Sequence, residues 1–473
     1  MAKKPKVLII GGSFSGLCTA RYLKNVAEVT IVEPKDYFEY TPGALHLLAG
    51  SKKYNQLLSP LSQVAKGSKH LRGLFMGMHP KMKKALIKVI APNLINTIQP
   101  QQQQQQQQQE YVEESYDAIV ICNGQTYATP IRASPKFGSS YQDRISEIET
   151  YCKKIDDAQN VVVVGGGLVG VEFAAEIAYR FKSKRKNIFL ITKSDLLSTL
   201  PAKAGILASE WLLTNKVKLM INDEVVQDDG NVLVTKSGDE INYDLLIDCT
   251  GVYHGTKRNI SSDWNLRNIG NDCSSIVDVF PQEYIWPYEN GCLSVNENLV
   301  SYQYPTDGVF AVGDVCRYIP GTGFLCDTVD YVLGNERYLP LIRNAHLAES
   351  QAELCAHNVR AFLNISSQNN HFLRYPKDIF GTPHNPVLSC ISLGPREGII
   401  VFNNVVIGGF LLSFISGLAK LIIERSKVAE IRQQAWGRIF WSFGHVVANS
   451  LSQICFLFEK FARRRKSSKK APA

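Results

Sequence analysis

The sequence predicts an α/β fold built on two Rossmann-like dinucleotide-binding units, followed by a C-terminal α+β region with amphipathic helices. Three stretches carry that expectation. "KVLIIGGSFSGLCTARYL" (6–23) runs from a β-branched strand through a glycine turn into a helix, and "NVVVVGGGLVGVEFAAEIAYRF" (160–181) repeats the order with a complete G-x-G-x-x-G. "GVFAVGDV" (308–315) adds a late, short apolar strand. Strands covered on both faces read as continuous β-branched runs of this kind, and a glycine at their end marks the turn into a helix.

Taken in order, Val7–Ile10 reads as a strand, Leu17–Lys24 as the following helix and Glu28–Glu33 as the second strand. "ALIKVI" (85–90) and "YDAIVICNG" (116–124) flank nine consecutive glutamines at 101–109. A polar homopolymer has nothing to bury, so the tract is expected to be a disordered loop insertion. After the second glycine turn, "KSKRK" (182–186) marks an exposed helix end, "NIFLIT" (187–192) a strand and "YDLLIDCTG" (243–251) the strand that closes the unit. Residues 264–290 lack periodicity and read as an insertion, whereas "AHLAESQAELCAHNVRAFL" (345–363) reads as a helix. The expected organisation is a first nucleotide unit in two parts, 1–140 and 263–365, interrupted by a second unit, 141–262, and followed by a distinct region, 366–473.

Composition bounds the function. The chain has 473 residues, 45% hydrophobic and 20% charged, ordinary for a folded protein of two or three domains. The formal net charge is +9, and Arg463, Arg464, Arg465, Lys466, Lys469 and Lys470 crowd the end. Such a tail suits an anionic membrane surface or nucleic acid, or is a solvated terminus. Eleven cysteines occur with no C-x-x-C or C-x-x-x-x-C spacing. This argues for a reducing compartment, against a disulfide framework and against electron transfer through a cysteine pair. Strand-like sequence begins by Lys6, so no secretory signal is expected, and Ala2 excludes N-myristoylation.

The second glycine turn is complete: Gly165 makes the tight turn, Gly167 lets backbone approach a pyrophosphate and Gly170 permits close helix–strand packing. The helix N-terminus then offers unpaired N–H groups to the phosphates. In the first turn Gly11 and Gly16 keep their places, but Ser13 replaces the middle glycine. Its side chain is small, and its hydroxyl can donate to a phosphate oxygen. The backbone from Gly11 through Gly12, Ser13, Phe14 and Ser15 to Gly16 would neutralise that pyrophosphate. Glu33, at the end of the second strand, stands where a carboxylate accepts hydrogen bonds from ribose hydroxyls. The corresponding residue of the second unit is Lys193, which either pairs with a 2′-phosphate or is solvated. NAD(P)H is the expected dinucleotide there, with NADPH tolerated.

These motifs resemble the flavoproteins that bind two dinucleotides, of pyridine nucleotide-disulfide oxidoreductase type. Within that group the likeness is to apoptosis-inducing-factor homologs of the ferroptosis-suppressor type, related to the type II NADH dehydrogenases, and runs from about Lys6 to Glu430. The resemblance implies FAD in the first unit and NAD(P)H as co-substrate in the second. It implies closing glycines at Gly124 of "ICNG" and Gly251 of "DCTG", and a ribityl-holding Asp314 in "VFAVGD". "EPKDYFEYTPGALHLL" implies flavin contacts from Pro42 and His46, and "RGLFMG" an adenine contact near Phe75. "GVEFAAEI" places Glu172 at the family's acidic residue beside the nicotinamide and flavin rings, and "SLGPREG" (392–398) resembles the strand near the acceptor. The lysine expected before "SLG" has no clear counterpart; His384 and Lys377 lie near, and His384 reads either as a proton donor or as a structural histidine.

In the C-terminal region Val405–Ala419 is uncharged but shorter than the roughly 20 residues of a spanning helix, so no transmembrane segment is expected. Trp436, Phe440, Phe443, Val447, Leu451, Ile454, Phe458 and Phe461 recur at steps of three and four, one apolar helix face ahead of "RRRKSSKK". That face either lies on a membrane, on the chain's own core or in a homodimer.

The expected reaction passes hydride from NAD(P)H to flavin and electrons directly to a quinone, with Glu172 positioning the nicotinamide or relaying a proton. The expected location is peripheral, on the cytoplasmic side of a membrane such as a lipid droplet or the mitochondrial outer surface, and not secreted. A sulfide:quinone-type reductase is the second enzyme reading, with Cys122, Cys152 and Cys355 as candidate thiols. A pro-death or nucleic-acid-binding flavoprotein with structural FAD is the third, and nucleic acid is the less expected partner. No metal is expected.

Overall fold

The structure, a computed structural model, describes residues 3–90, 111–125, 127–128, 130–133, 138–183, 186–251, 284–285, 287–288, 292–318, 345–365, 371–375, 388–402, 405–409 and 412–444. The polyglutamine tract, most of 264–290, Lys377, His384 and the tail beyond 444 lie outside the described residues.

The chain opens with β1 (Lys6–Ile10), α1 (Phe14–Leu23) and β2 (Glu28–Val32), followed by the short helix α2 (Ala44–Leu48) and β3 (Lys69–Leu71). An antiparallel layer β4 (Gly73–His79), β5 (Lys84–Val89) and β6 (Tyr111–Ser115) precedes β7 (Ala118–Ile121). The helix α3 (Tyr141–Asp157) leads into β8 (Asn160–Val164), α4 (Leu168–Arg180), β9 (Asn187–Thr192), α5 (Ala202–Thr214) and β10 (Val217–Ile221). A three-stranded antiparallel excursion, β11 (Val225–Asp228), β12 (Val232–Thr235) and β13 (Glu240–Asn242), precedes β14 (Leu245–Asp248). The chain then supplies β15 (Val309–Ala311) and α6 (Ala345–Phe362), and ends in the meander β16 (Leu388–Leu393), β17 (Glu397–Phe402), β18 (Val405–Ile407) and the helix α7 (Ser413–Ile431).

Two parallel sheets result, ordered β15-β7-β1-β2-β3 and β10-β9-β8-β14. This is the α/β architecture expected from the two glycine turns. Ile9, Val161, Val162 and Val163 are fully buried, as strands covered on both faces require. The late strand β15 pairs with β7, Val309 opposite Ile119, and so returns to the first sheet. Helix α1 starts at Phe14, ahead of the expected Leu17, because Ser13 is its extended N-cap with φ −102° and ψ −155°. The uncharged run after Val405 is not one element: it forms β18 and then the first turns of α7.

Buried charge ties these parts together. Ser140 and Asp143 form a reciprocal capping box at the start of α3. Arg144, in the first turn of that helix, is buried between Glu39 at 2.8 Å and Glu147 at 2.7 Å. Removing one partner of such a set costs about 3–5 kcal/mol, because a buried charge is left alone. Helix α7 is held to the first unit by Arg21–Glu430 at 2.6 Å and by Lys427, which bonds Glu349 at 2.7 Å and Glu430 at 2.5 Å. Arg432, just beyond α7, adds bonds to the Ser59 hydroxyl and the Leu58 carbonyl. Gly417 sits where a Cβ would stand 2.2 Å from the Arg396 carbonyl oxygen, so α7 backs directly onto the β16–β17 turn.

The outward side of this helix is apolar. Phe414, Ile415, Leu418 and Ile422 are exposed on α7, and Trp436, Ile439, Phe440 and Phe443 on the helical residues 435–444. Among the described residues no helix is long and apolar enough to cross a membrane.

Candidate active site

The first glycine turn is shaped by backbone contact. Gly11 has φ +109°, and a Cβ there would stand 2.6 Å from the Cys122 carbonyl oxygen on the neighbouring strand end. A Cβ on Gly16 would stand 1.9 Å from the Gly11 oxygen, so α1 can rise from the turn only over a glycine. Ser13 makes no side-chain cap bond to α1, which leaves its hydroxyl to the cavity it lines. That cavity has a volume of about 370 Å³. Gly11, Ser13, Phe14 and Ser15 form one wall, and Glu33, Pro42, Phe75, Gly124 and Asp314 contribute to the others.

Each wall has a local cause. Glu33 is buried, and its carboxylate accepts from the Gly12 N–H at 2.7 Å and the Lys35 N–H at 3.2 Å. Gly12 therefore acts on the cavity through Glu33. Phe75 sits at a register shift between β4 and β5, which turns the strand at the cavity. Asp314 lies in the 3-10 turn after β15, whose Gly313 N–H is anchored on Gln351 at 2.8 Å. The residues fit a flavin dinucleotide. The cavity runs along a helix N-terminus, holds the Glu33 carboxylate, and is lined by Gln125, whose buried Oε1 has no hydrogen-bond partner among the described residues.

The second turn repeats the construction. Gly165 has φ +117° with a would-be Cβ 2.4 Å from the Cys249 carbonyl oxygen, and one on Gly170 would stand 1.8 Å from the Gly165 oxygen. At Gly167 and Gly251, by contrast, no atom of the described residues other than the glycine and its chain neighbours lies within 4 Å of that point. The open position at Gly167, the N-cap of α4, is the space a pyrophosphate needs. Lys193 follows β9 and lies 2.5 Å from Glu224, an acid that sequence reasoning did not single out.

Glu172 lies on the first turns of α4, directly after the second glycine turn. Its Oε1 accepts the Ser392 N–H at 2.7 Å from the end of β16 and is bonded by the Lys420 ammonium from α7. The structure thus supplies the missing lysine beyond the "SLG" strand, not before it. Spacing could not reveal it, because a strand pair and a helix intervene. The signal in the sequence was a lysine that ends the uncharged run 405–419. His46 is not among the cavity-lining residues; its Nδ1 lies 3.0 Å from Glu176 Oε1.

The candidate thiols are not poised for chemistry. Burial pushes Cys122 up to about 12, pushes Cys355 well above its ordinary value and raises Cys152. Attack on sulfur needs a thiolate, so these positions disfavour the sulfide:quinone-type reading.

Two glycine cradles, one with a fitting flavin cavity, and an acid–lysine pair at the helix that follows the second define an oxidoreductase of the two-dinucleotide class. A family model described as pyridine nucleotide-disulphide oxidoreductase matches residues 4–270, more than half of the chain, and the chain belongs to that family. It is an enzyme using FAD and NAD(P)H. It is 22% identical over 448 residues to apoptosis-inducing factor homolog B of Dictyostelium discoideum, covering 90% of this chain and 96% of that one. It is 26% identical over 324 residues to ferroptosis suppressor protein 1 of Taeniopygia guttata, covering 65% and 73%. Among solved structures, NDH2 from Plasmodium falciparum in complex with NADH superposes with a TM-score of 0.66 at 15% identity, over 95% of this chain and 98% of that one.

Proposed function

We propose that the chain oxidises NAD(P)H and reduces a quinone, lying peripherally on a membrane through its C-terminal helices. Residues 1–140 and 263–365 would form the flavin unit, 141–262 the NAD(P)H unit and 366–473 the acceptor-side and membrane-facing region. The observation that carries this reading is the Glu172–Lys420 pair, formed where α4, the end of β16 and α7 converge. The same helix α7 presents Phe414, Leu418 and Ile422 outward, so an apolar acceptor and an apolar surface share one element.

Bound FAD would supply two-electron hydride acceptance and release of the electrons. The protein's part is orientation. The N–H groups of the first turn and the Ser13 hydroxyl bind the pyrophosphate, Glu33 holds the ribose and Asp314 the ribityl chain. Gly165, Gly167 and Gly170 seat NAD(P)H. Glu172, fixed by Lys420 and the Ser392 N–H, orients the nicotinamide or holds a proton at its carboxylate. With no cysteine pair spaced for a relay, electrons leave directly.

A visible absorption spectrum tests the reading. The purified protein should be yellow and bleach anaerobically on addition of NADH or NADPH. Steady-state rates with a soluble quinone should give parallel double-reciprocal lines. A protein colourless even after reconstitution with flavin, or intersecting lines, would count against it.

A further inference from the structure

Helix α4 rises from the second glycine turn, yet Val169 on its first turn lines the cavity of the first unit, as do Phe14 and Ser15 of α1 and Ala345 and Ala348 of α6. The setting of α4 against α1 and α6 is therefore the setting of one nucleotide seat against the other. Helix α7 holds all three. Toward its start, Lys420 bonds Glu172 of α4. There too Glu397 Oε2 accepts the Ser413 hydroxyl at 3.4 Å and the indole N–H of Trp211, on α5, at 2.9 Å. Toward its end, Lys427 bonds Glu349 of α6 at 2.7 Å, and Glu430 accepts from Arg21 of α1 at 2.6 Å. The Lys52–Glu424 pair and Arg432 strengthen this second grip. The 19 residues of α7 make a rod about 28 Å long. Lys427 and Glu349 are buried, and a charge-assisted bond fixes direction as well as distance, where an apolar contact could slide. The units also meet where Arg144 of α3 pairs with Glu39 and Arg180 of α4 donates to the Ala49 carbonyl, each at 2.8 Å. Those joints engage residues 39 and 49, whereas α7 grips the helices that line the cavity.

We propose that α7 is a strut that sets the distance for hydride transfer from NAD(P)H to flavin, with Trp211 and Lys427 as positioning residues at its two ends. This rests on the first half of the function proposed above. In that step a hydride leaves nicotinamide C4 with two electrons and joins flavin N5, so the nicotinamide is oxidised and the flavin reduced. Neither side chain exchanges a proton or an electron. Their effect is on approach: the reacting atoms need to stand about 3–3.5 Å apart, and a displacement of about 1 Å can cost about 10²-fold.

Anaerobic stopped-flow measurements on the holoenzyme read the limiting rate of flavin bleaching at saturating NADH and, from its concentration dependence, the NADH Kd. Lys427→Met and Trp211→Phe should each slow the limiting rate about tenfold, with the Kd and the flavin content as in the wild type. Lys427→Arg should restore part of the lost rate. The double variant should lose less than the product of the two single losses, because a strut freed at one end has already given way. An unaltered limiting rate in Trp211→Phe, which keeps an aromatic ring at that place, would overturn the proposal even where Lys427→Met fails to fold. So would losses that multiply in the double variant. A rate loss matched by lost flavin or a weaker NADH Kd would reveal a merely structural role and overturn it too. A wild type that holds flavin but is not bleached by NADH would instead defeat the reading on which the strut rests.

Discussion

At the scale of residues, the glycines of one motif do different things, and substitutions should separate them. At Gly165 the backbone has φ +117° and a Cβ would stand 2.4 Å from the Cys249 oxygen. Gly165→Ala should destabilise the fold by about 1–3 kcal/mol, read as a lower denaturation midpoint. At Gly167 no described residue beyond the chain neighbours lies within 4 Å of a Cβ. Gly167→Val should therefore leave the midpoint in place and raise the KM for NADH by filling the phosphate space. Lys193 is the other informative position. It lies 2.5 Å from Glu224, which occupies the charge that a 2′-phosphate would use. Solvent screens an exposed pair of this kind, so Glu224→Gln should shift the kcat/KM ratio toward NADPH by about fivefold at most.

At the scale of elements, α7 joins both nucleotide units and carries the outward apolar face. Its hold on α1 passes through Glu430. Burial would raise that carboxyl, but Lys427 and Arg21 outweigh it and hold it below the usual value. A carboxyl depressed in the folded state contributes stability above its unfolded pKa, near 4.3, and loses it as pH falls through the folded value. Glu430→Gln should therefore lower stability at neutral pH and flatten the acid limb of a denaturation-midpoint-against-pH curve. The outer face makes a separate prediction. Burying a large apolar side chain is worth about 1.5–3 kcal/mol, so Phe414→Glu with Leu418→Glu should abolish flotation with anionic liposomes while leaving NADH oxidation by a soluble acceptor intact. Undiminished flotation would remove α7 from the membrane-facing surface. Much of this element was illegible in sequence: the uncharged run from Val405, interrupted by Gly408, Gly409 and Gly417, marks no boundary between β18 and α7.

At the scale of the whole molecule, the first sheet is assembled from distant pieces of chain, with β15 alongside β7 and Asp314 carried to the cavity by the turn that follows. A ligand bound across those pieces stabilises their association. Removing FAD should lower the melting temperature, and adding FAD back should restore it in a concentration-dependent way, as linkage requires. A melting temperature indifferent to FAD would mean that the cavity is not its site.

The sequence by itself determined the two βαβ units, their glycine turns and the acid at the end of the second strand. These features are local: a turn that needs positive φ or close backbone approach admits only glycine, and a buried parallel strand admits little but β-branched and aliphatic residues. The family resemblance of "GVEFAAEI" also marked Glu172. Only the tertiary structure decided what meets that carboxylate. Lys420 and the Ser392 N–H come from separate elements. Side chains brought together by packing leave no periodic trace in the chain, because their spacing is set by the path of the fold and not by the pitch of a helix or the pleat of a strand.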